Sequence, residues 1–189
     1  MIRYQVFTVL LASLLISPVW IGEASAQAVD TELAQRQLGI DTRAERTLEA
    51  LLESNTGARQ LFEQSAGYAS FSATKAGFFI TAGGGTGVLV DKSTENRIYM
   101  RMGTGGIGIG IGAQTYDLVI FFENQLILDA FMGGGWDSSA NAQAAAGQVG
   151  ITATSSFVDG VAIFQITDKG LMAMADVAST RFWVANNLN

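Results

Sequence analysis

Arg97-Ile98-Tyr99-Met100-Arg101-Met102-Gly103-Thr104-Gly105-Gly106-Ile107-Gly108-Ile109-Gly110-Ile111-Gly112 is the stretch that separates a nucleotide-binding α/β fold from a β-sheet. Gly103 to Gly108 matches the dinucleotide fingerprint letter for letter. That fingerprint works only between a strand and a helix, because the helix N-terminus must meet the pyrophosphate. Here strand-like sequence lies on both sides. Ile98, Met100 and Met102 alternate with Arg97, Tyr99 and Arg101, two faces of one strand. Ile107, Ile109 and Ile111 then share a face, with Gly106, Gly108, Gly110 and Gly112 on the other. Each interior strand glycine costs roughly 0.5–1 kcal/mol against alanine. Four together predict that a helix, a facing strand or an acyl chain comes close, or that the sheet bends there.

Outward from this stretch the chain keeps to β sequence on the C-terminal side. Leu118-Val119-Ile120-Phe121-Phe122 is apolar on both faces, the mark of a central strand. Asn124 to Met132 reads as a short helix. Ile151–Phe157, Val161–Ile166 and Leu171–Ala178 read as strands, and Thr167-Asp168-Lys169-Gly170 as a tight hairpin connection. On the N-terminal side, Asp91 to Asn96 is a polar hairpin loop, with strands expected at Val88–Val90 and Phe78–Thr81. Gly83-Gly84-Gly85-Thr86-Gly87 lacks the Lys-Ser/Thr of a phosphate loop. Val29 to Ala66 is helical: Ala44, Leu48, Leu51 and Leu52 form one apolar stripe, broken at Ser54-Asn55-Thr56-Gly57. Thr42-Arg43-Ala44-Glu45 has the form of a capping box, with Asp41 as the competing N-cap. The expected architecture is α+β, with N-terminal helices followed by a curved, mostly antiparallel β-sheet or partial barrel and one inserted helix.

The first residues have the order of an export signal. Arg3 precedes an apolar run from Val6 to Ile21, and Ala24-Ser25-Ala26 supplies the small residues before a cut after Ala26. Residues 1–26 are therefore expected to be a signal peptide. Residues 27–66 are expected to be a helical segment of the same domain as a glycine-rich β core at 67–189. Losing Arg3 and Glu23 leaves the net charge at −6, unfavourable for nucleic acid. The chain holds no Cys and no His, which removes the Ser-His-Asp and Cys-His mechanisms and nearly all zinc, copper and iron sites. No catalytic residue, cofactor or metal site is expected. Carboxylate pairs remain open among Asp117, Asp129, Asp137, Asp159, Asp168 and Asp176, but their spacing gives no sign that they converge, and turn and edge acids are the plainer reading.

The best candidate anion patch is Arg97 and Arg101 with Tyr99 between them, and Lys75 and Lys92 on the same rim. Such a patch holds lipid phosphates by charge-assisted hydrogen bonds. Trp136, after three glycines, is equally a candidate interfacial anchor or a plug of the core. Arg36, Arg43, Arg46 and Arg59 are interleaved with Glu32, Glu45, Glu49 and Glu53, the pattern of an ordinary salt-bridged helix surface.

The chain resembles the SYLF domain, a lipid-binding module. The resemblance runs from about Leu61 to the C-terminus. It is carried by Lys75-Ala76-Gly77-Phe78, Gly83-Gly84-Gly85-Thr86-Gly87-Val88-Leu89, the Gly/Ile stretch through Gly112-Ala113-Gln114-Thr115-Tyr116-Asp117-Leu118-Val119, and Asp168-Lys169-Gly170-Leu171. The chain departs from the family's pattern in lacking Trp and Pro between Asp91 and Ile98, and in Gly110 and Met174. The resemblance implies lipid or membrane binding without catalysis. With the signal, it suggests a periplasmic or otherwise exported module that meets phospholipid at a membrane surface or holds an acyl chain against the glycine face. The alternative is a structural envelope protein acting through homo-oligomer or partner contacts.

Overall fold

The break at Ser54-Asn55 divides the N-terminal segment into two helices that lie on one face of a sheet. A computed structural model describes residues 21–77, 80–107, 112–133, 156–167, 170–172 and 180–189. Helix α1 spans Ile21–Ser54 and helix α2 spans Thr56–Gln64. Asn55 caps α2, its side chain accepting the Ala58 N–H at 2.9 Å. The expected capping box at residues 42–45 does not start a helix, since α1 runs through it without a break. Asp41 spends its carboxylate on the sheet instead.

Seven described strands follow: β1 Gly67–Gly77, β2 Ile80–Asp91, β3 Arg97–Ile107, β4 Gly112–Phe122, β5 Val161–Thr167, β6 Gly170–Met172 and β7 Thr180–Val184. Helix α3, Gln125–Met132, is inserted between β4 and β5 and capped by Asn124. The sheet order is β6-β5-β4-β1-β2-β3-β7, and every pairing is antiparallel. The described strands form an open sheet, so the α+β expectation holds. Leu118 to Phe122 is fully buried in β4, between β1 and β5, as its two apolar faces require. Among the described residues, no helix is long and apolar enough to cross a membrane.

Two expectations about strands change. The sequence does not predict β1, because Ser70, Ser72 and Thr74 alternate with Ala69, Phe71 and Ala73, of which only Phe71 is a large apolar residue. It is nonetheless central, and the strand expected at 78–81 is in part the start of β2. Gly106 and Gly112 do not share one strand. Gly106 is the penultimate residue of β3, opposite Thr81, and Gly112 begins β4 opposite Gly77. Gly108 and Gly110 lie outside the described residues.

The close approach that glycine permits is found on β2. A Cβ on Gly85 would stand 2.8 Å from Ala73 Cα, and one on Gly87 would stand 2.8 Å from Phe71 Cα. No side chain fits there, so β2 is pinched against β1 and the sheet curls. The rings of Phe71 on β1 and Phe182 on β7 show the result, with centroids 4.9 Å apart. Three strand spacings of about 4.8 Å separate those strands in a flat sheet. The concave face is filled by Phe71, Met100, Leu118, Phe122 and Phe182, closed by Leu128 and Phe131 of α3. The other face carries Val88, Tyr99, Val119 and Phe121, against Ala44, Leu48 and Leu51 of α1 and Leu61 of α2.

Candidate functional site

Strand alternation puts Arg97, Tyr99 and Arg101 on the face that α1 covers, and the three side chains then do different things. Tyr99 is buried, and its hydroxyl donates to Asp41 Oδ2 at 2.9 Å. Burial, then the bond to Asp41, pushes its phenol up to about 12. Arg97 donates to Glu45 Oε1 at 2.8 Å and sits 3.0 Å from Asp41 Oδ1, off the line of a hydrogen bond. The bond to Glu45 raises its guanidinium pKa further against burial. Arg97 and Tyr99 thus latch α1 to β3 and are not a free anion patch. Arg101, one step further along β3, is exposed and donates to Asn187 Oδ1 at 3.1 Å.

The two lysines expected on the same rim are elsewhere. Lys92 donates its Nζ to Phe62 O (2.7 Å) and Ser65 O (3.0 Å), and lies 4.5 Å from the Phe62 ring centroid. It satisfies the carbonyls at the end of α2, where a cation is favoured. Burial lowers its pKa, with Glu63 opposing. Lys75 belongs to the concave face, in register with Gln114 and Gly83, beside a small pocket of about 40 Å³ that also touches Tyr116 and Gln165. Trp136 lies outside the described residues.

What gathers around Arg101 is a set the sequence had assigned to ordinary helix surface. A cavity of about 400 Å³ opens between α1 and the sheet. Arg36 and Arg43 of α1 face Arg101 of β3 across it, and Ser70, Ser72 and Thr86 supply hydroxyls from β1 and β2. Ile40 and Leu188 give it an apolar lining. Arg36 and Arg43 are seven residues, two turns, apart and so share one flank of the helix. Asp41 and Glu45 lie on the opposite flank, turned to Arg97. Arg36 and Arg43 thus face the groove while Asp41 and Glu45 face Arg97, a division legible in the spacing once a partner for the two acids is known.

The arginines of the groove are only loosely held. Arg36 pairs with Glu32 at 2.6 Å on an exposed stretch of helix, where an ion pair contributes little. Arg43 contacts Asp117 Oδ1 through Nη2 at 3.1 Å and Nε at 3.2 Å, and Thr47 donates to Asp117 Oδ2 at 3.3 Å. Guanidinium groups beside hydroxyls and an apolar wall suit an anion with an apolar extension. Among the described residues no cluster of carboxylates with metal-ligand geometry occurs. Asp117 faces Arg43, Asp129 accepts from Gln125 at 2.9 Å, and Asp159 sits in a turn at φ 50°. Asp137, Asp168 and Asp176 are outside the described residues.

Comparison with known proteins gives two matches. Residues 103–189 match the family model Ysc84, described as Las17-binding protein actin regulator. Beta cell expansion factor A of Aeromonas veronii is 32% identical over 154 residues, covering 82% of this chain and 59% of that protein. The chain thus spans less than two thirds of that relative's length.

Proposed function

We propose that the chain, whose residues 103–189 match the Ysc84 family model, is an SYLF-like, non-catalytic module that binds anionic phospholipid at a membrane surface. The groove of Arg36, Arg43 and Arg101 carries this reading. It places positive charge, hydroxyl donors and an apolar wall in one cavity on a protein whose net charge is −6. A phosphate accepts from the guanidinium groups, and the adjoining glycerol lies against Ile40 and Leu188. The leader-like residues 1–26 support export to the periplasm, where the module acts peripherally to a membrane. N-terminal sequencing of the exported protein tests this, with Gln27 as the expected first residue.

The decisive experiment is co-sedimentation with neutral and anionic vesicles across a salt series. Binding that requires anionic lipid and weakens with salt supports the groove. Arg101→Gln should lower that binding roughly tenfold, the loss of one charge-assisted contact, while leaving the thermal midpoint nearly unchanged. Equal binding to both vesicle types, or an Arg101→Gln variant that binds like the parent, counts against it. The alternative of a structural envelope protein predicts a particle size that grows with concentration and no vesicle binding.

A further inference from the structure

We propose that Trp183 is the interfacial anchor with which the protein settles on a phospholipid bilayer, at the rim of the arginine groove. The proposal rests on the groove reading and adds the residue that enters the membrane. β7 is the outermost described strand on its side of the sheet. Its alternation sends Phe182 into the concave core and turns Arg181 and Trp183 to the face that bears α1. Trp183 is in register with Arg101, which lines the groove, and Arg181 with Gly103.

Trp183 is 46% exposed, one of three large apolar side chains exposed among the described residues. Its ring does not hang free. A Cβ on Gly103 would lie 3.2 Å from its Cη2 and 3.3 Å from its Cζ3, so the ring is seated across a strand that has no side chain there. A seated aromatic loses little further freedom on binding. The exposed arginines 101 and 181 flank it, and Asp41 and Glu45 of α1 are turned to Arg97. Positive charge beside an indole complements an anionic headgroup layer, and indole is the side chain that favours the headgroup level. Leu126 and Leu38, the other two exposed apolar residues, have no such flanking pair on the sheet.

The test uses the exported protein from Gln27 onward with Trp136 changed to Phe, so that emission reports Trp183 alone. Phosphatidylcholine/phosphatidylglycerol vesicles with brominated chains are the probe. Blue-shifted and quenched emission on binding is the expected result. In parallel, Trp183→Ala should weaken vesicle binding roughly tenfold, the scale of withdrawing one aromatic ring from an interface. Trp183→Phe should recover most of it, and the affinity for soluble glycerol phosphate should stay unchanged. Vesicle binding with unquenched Trp183 overturns the anchor and leaves the groove reading standing. No binding of either vesicles or glycerol phosphate overturns both. Emission already blue-shifted without lipid, in a protein that sediments as a dimer, also overturns the anchor, because Trp183 then lies between two copies of the chain.

Discussion

Asp117 holds Arg43 through contacts of 3.1 and 3.2 Å and takes a third from Thr47 at 3.3 Å, all longer than the usual bond between a guanidinium and a carboxylate. An incoming phosphate competes with this carboxylate for Arg43. Asp117→Asn should therefore tighten binding of anionic vesicles several-fold, roughly 1 kcal/mol, and equal affinity in a titration would show that Arg43 does not turn to the ligand. Asp91 has a different duty. Its Oδ1 accepts from Ser93 N (2.8 Å) and Ser93 Oγ (2.7 Å), and its Oδ2 from Gln125 at 3.1 Å, which ties the β2–β3 turn to α3. These bonds, the Ser93 hydroxyl first, hold its carboxyl below the ordinary value. A depressed carboxylate stabilises the fold above its unfolded pKa of about 3.9 and loses that contribution as pH falls through the folded value. Asp91→Asn should cost about 1–2 kcal/mol at pH 7. In chemical denaturation the gap to the parent protein should narrow as the pH falls through the depressed value of Asp91.

β2 is the element that shapes the sheet, and its glycines are not equivalent. A Cβ on Gly85 would meet Ala73 Cα at 2.8 Å, whereas one on Gly84, on the opposite face, would meet nothing closer than Met102 O at 3.4 Å. Gly85→Ala should destabilise by about 1–3 kcal/mol through overpacking. Gly84→Ala should leave the urea midpoint almost unmoved, and equal losses would show that β2 is not pinched there. The sequence placed functional glycines at 106–112, where they alternate with Ile and stand out. It assigned no close approach to Gly83 to Gly87, because an irregular glycine run has no visible period. α1 shows the reverse. Its apolar stripe of Ala44, Leu48 and Leu51 was legible because core packing repeats at helical spacing. The duties of its charged residues depend on Arg97, Asp117 and Arg101, dozens of residues away in sequence.

For the molecule as a whole, hydrophobic period foretold the class. It read as helices first, then an antiparallel sheet with one inserted helix, and Leu118–Phe122 at its centre. The candidate site was legible only in Arg101. Arg97 and Tyr99 share its strand face, as alternation requires, but α1 lies over them and draws them into a latch. Lys75 and Lys92 carry the right charge, and the fold sends one to the concave face and the other to the end of α2. Period fixes which side of a strand a residue takes. It does not say which element will cover that side.

The crowded hollow of the sheet bears on how lipid is handled. Phe71, Leu118, Phe122, Phe131 and Phe182 occupy it, and β2 presses on β1 beside them. No fatty tail can be taken in among these residues without expelling side chains that are almost wholly out of water. On the proposed function, the tails of a bound phospholipid would therefore stay in the leaflet that owns them. A protein of that kind would read a membrane without ferrying its contents. Added to a mixture of donor and acceptor vesicles, it should leave the exchange of a fluorescent phospholipid at its spontaneous rate.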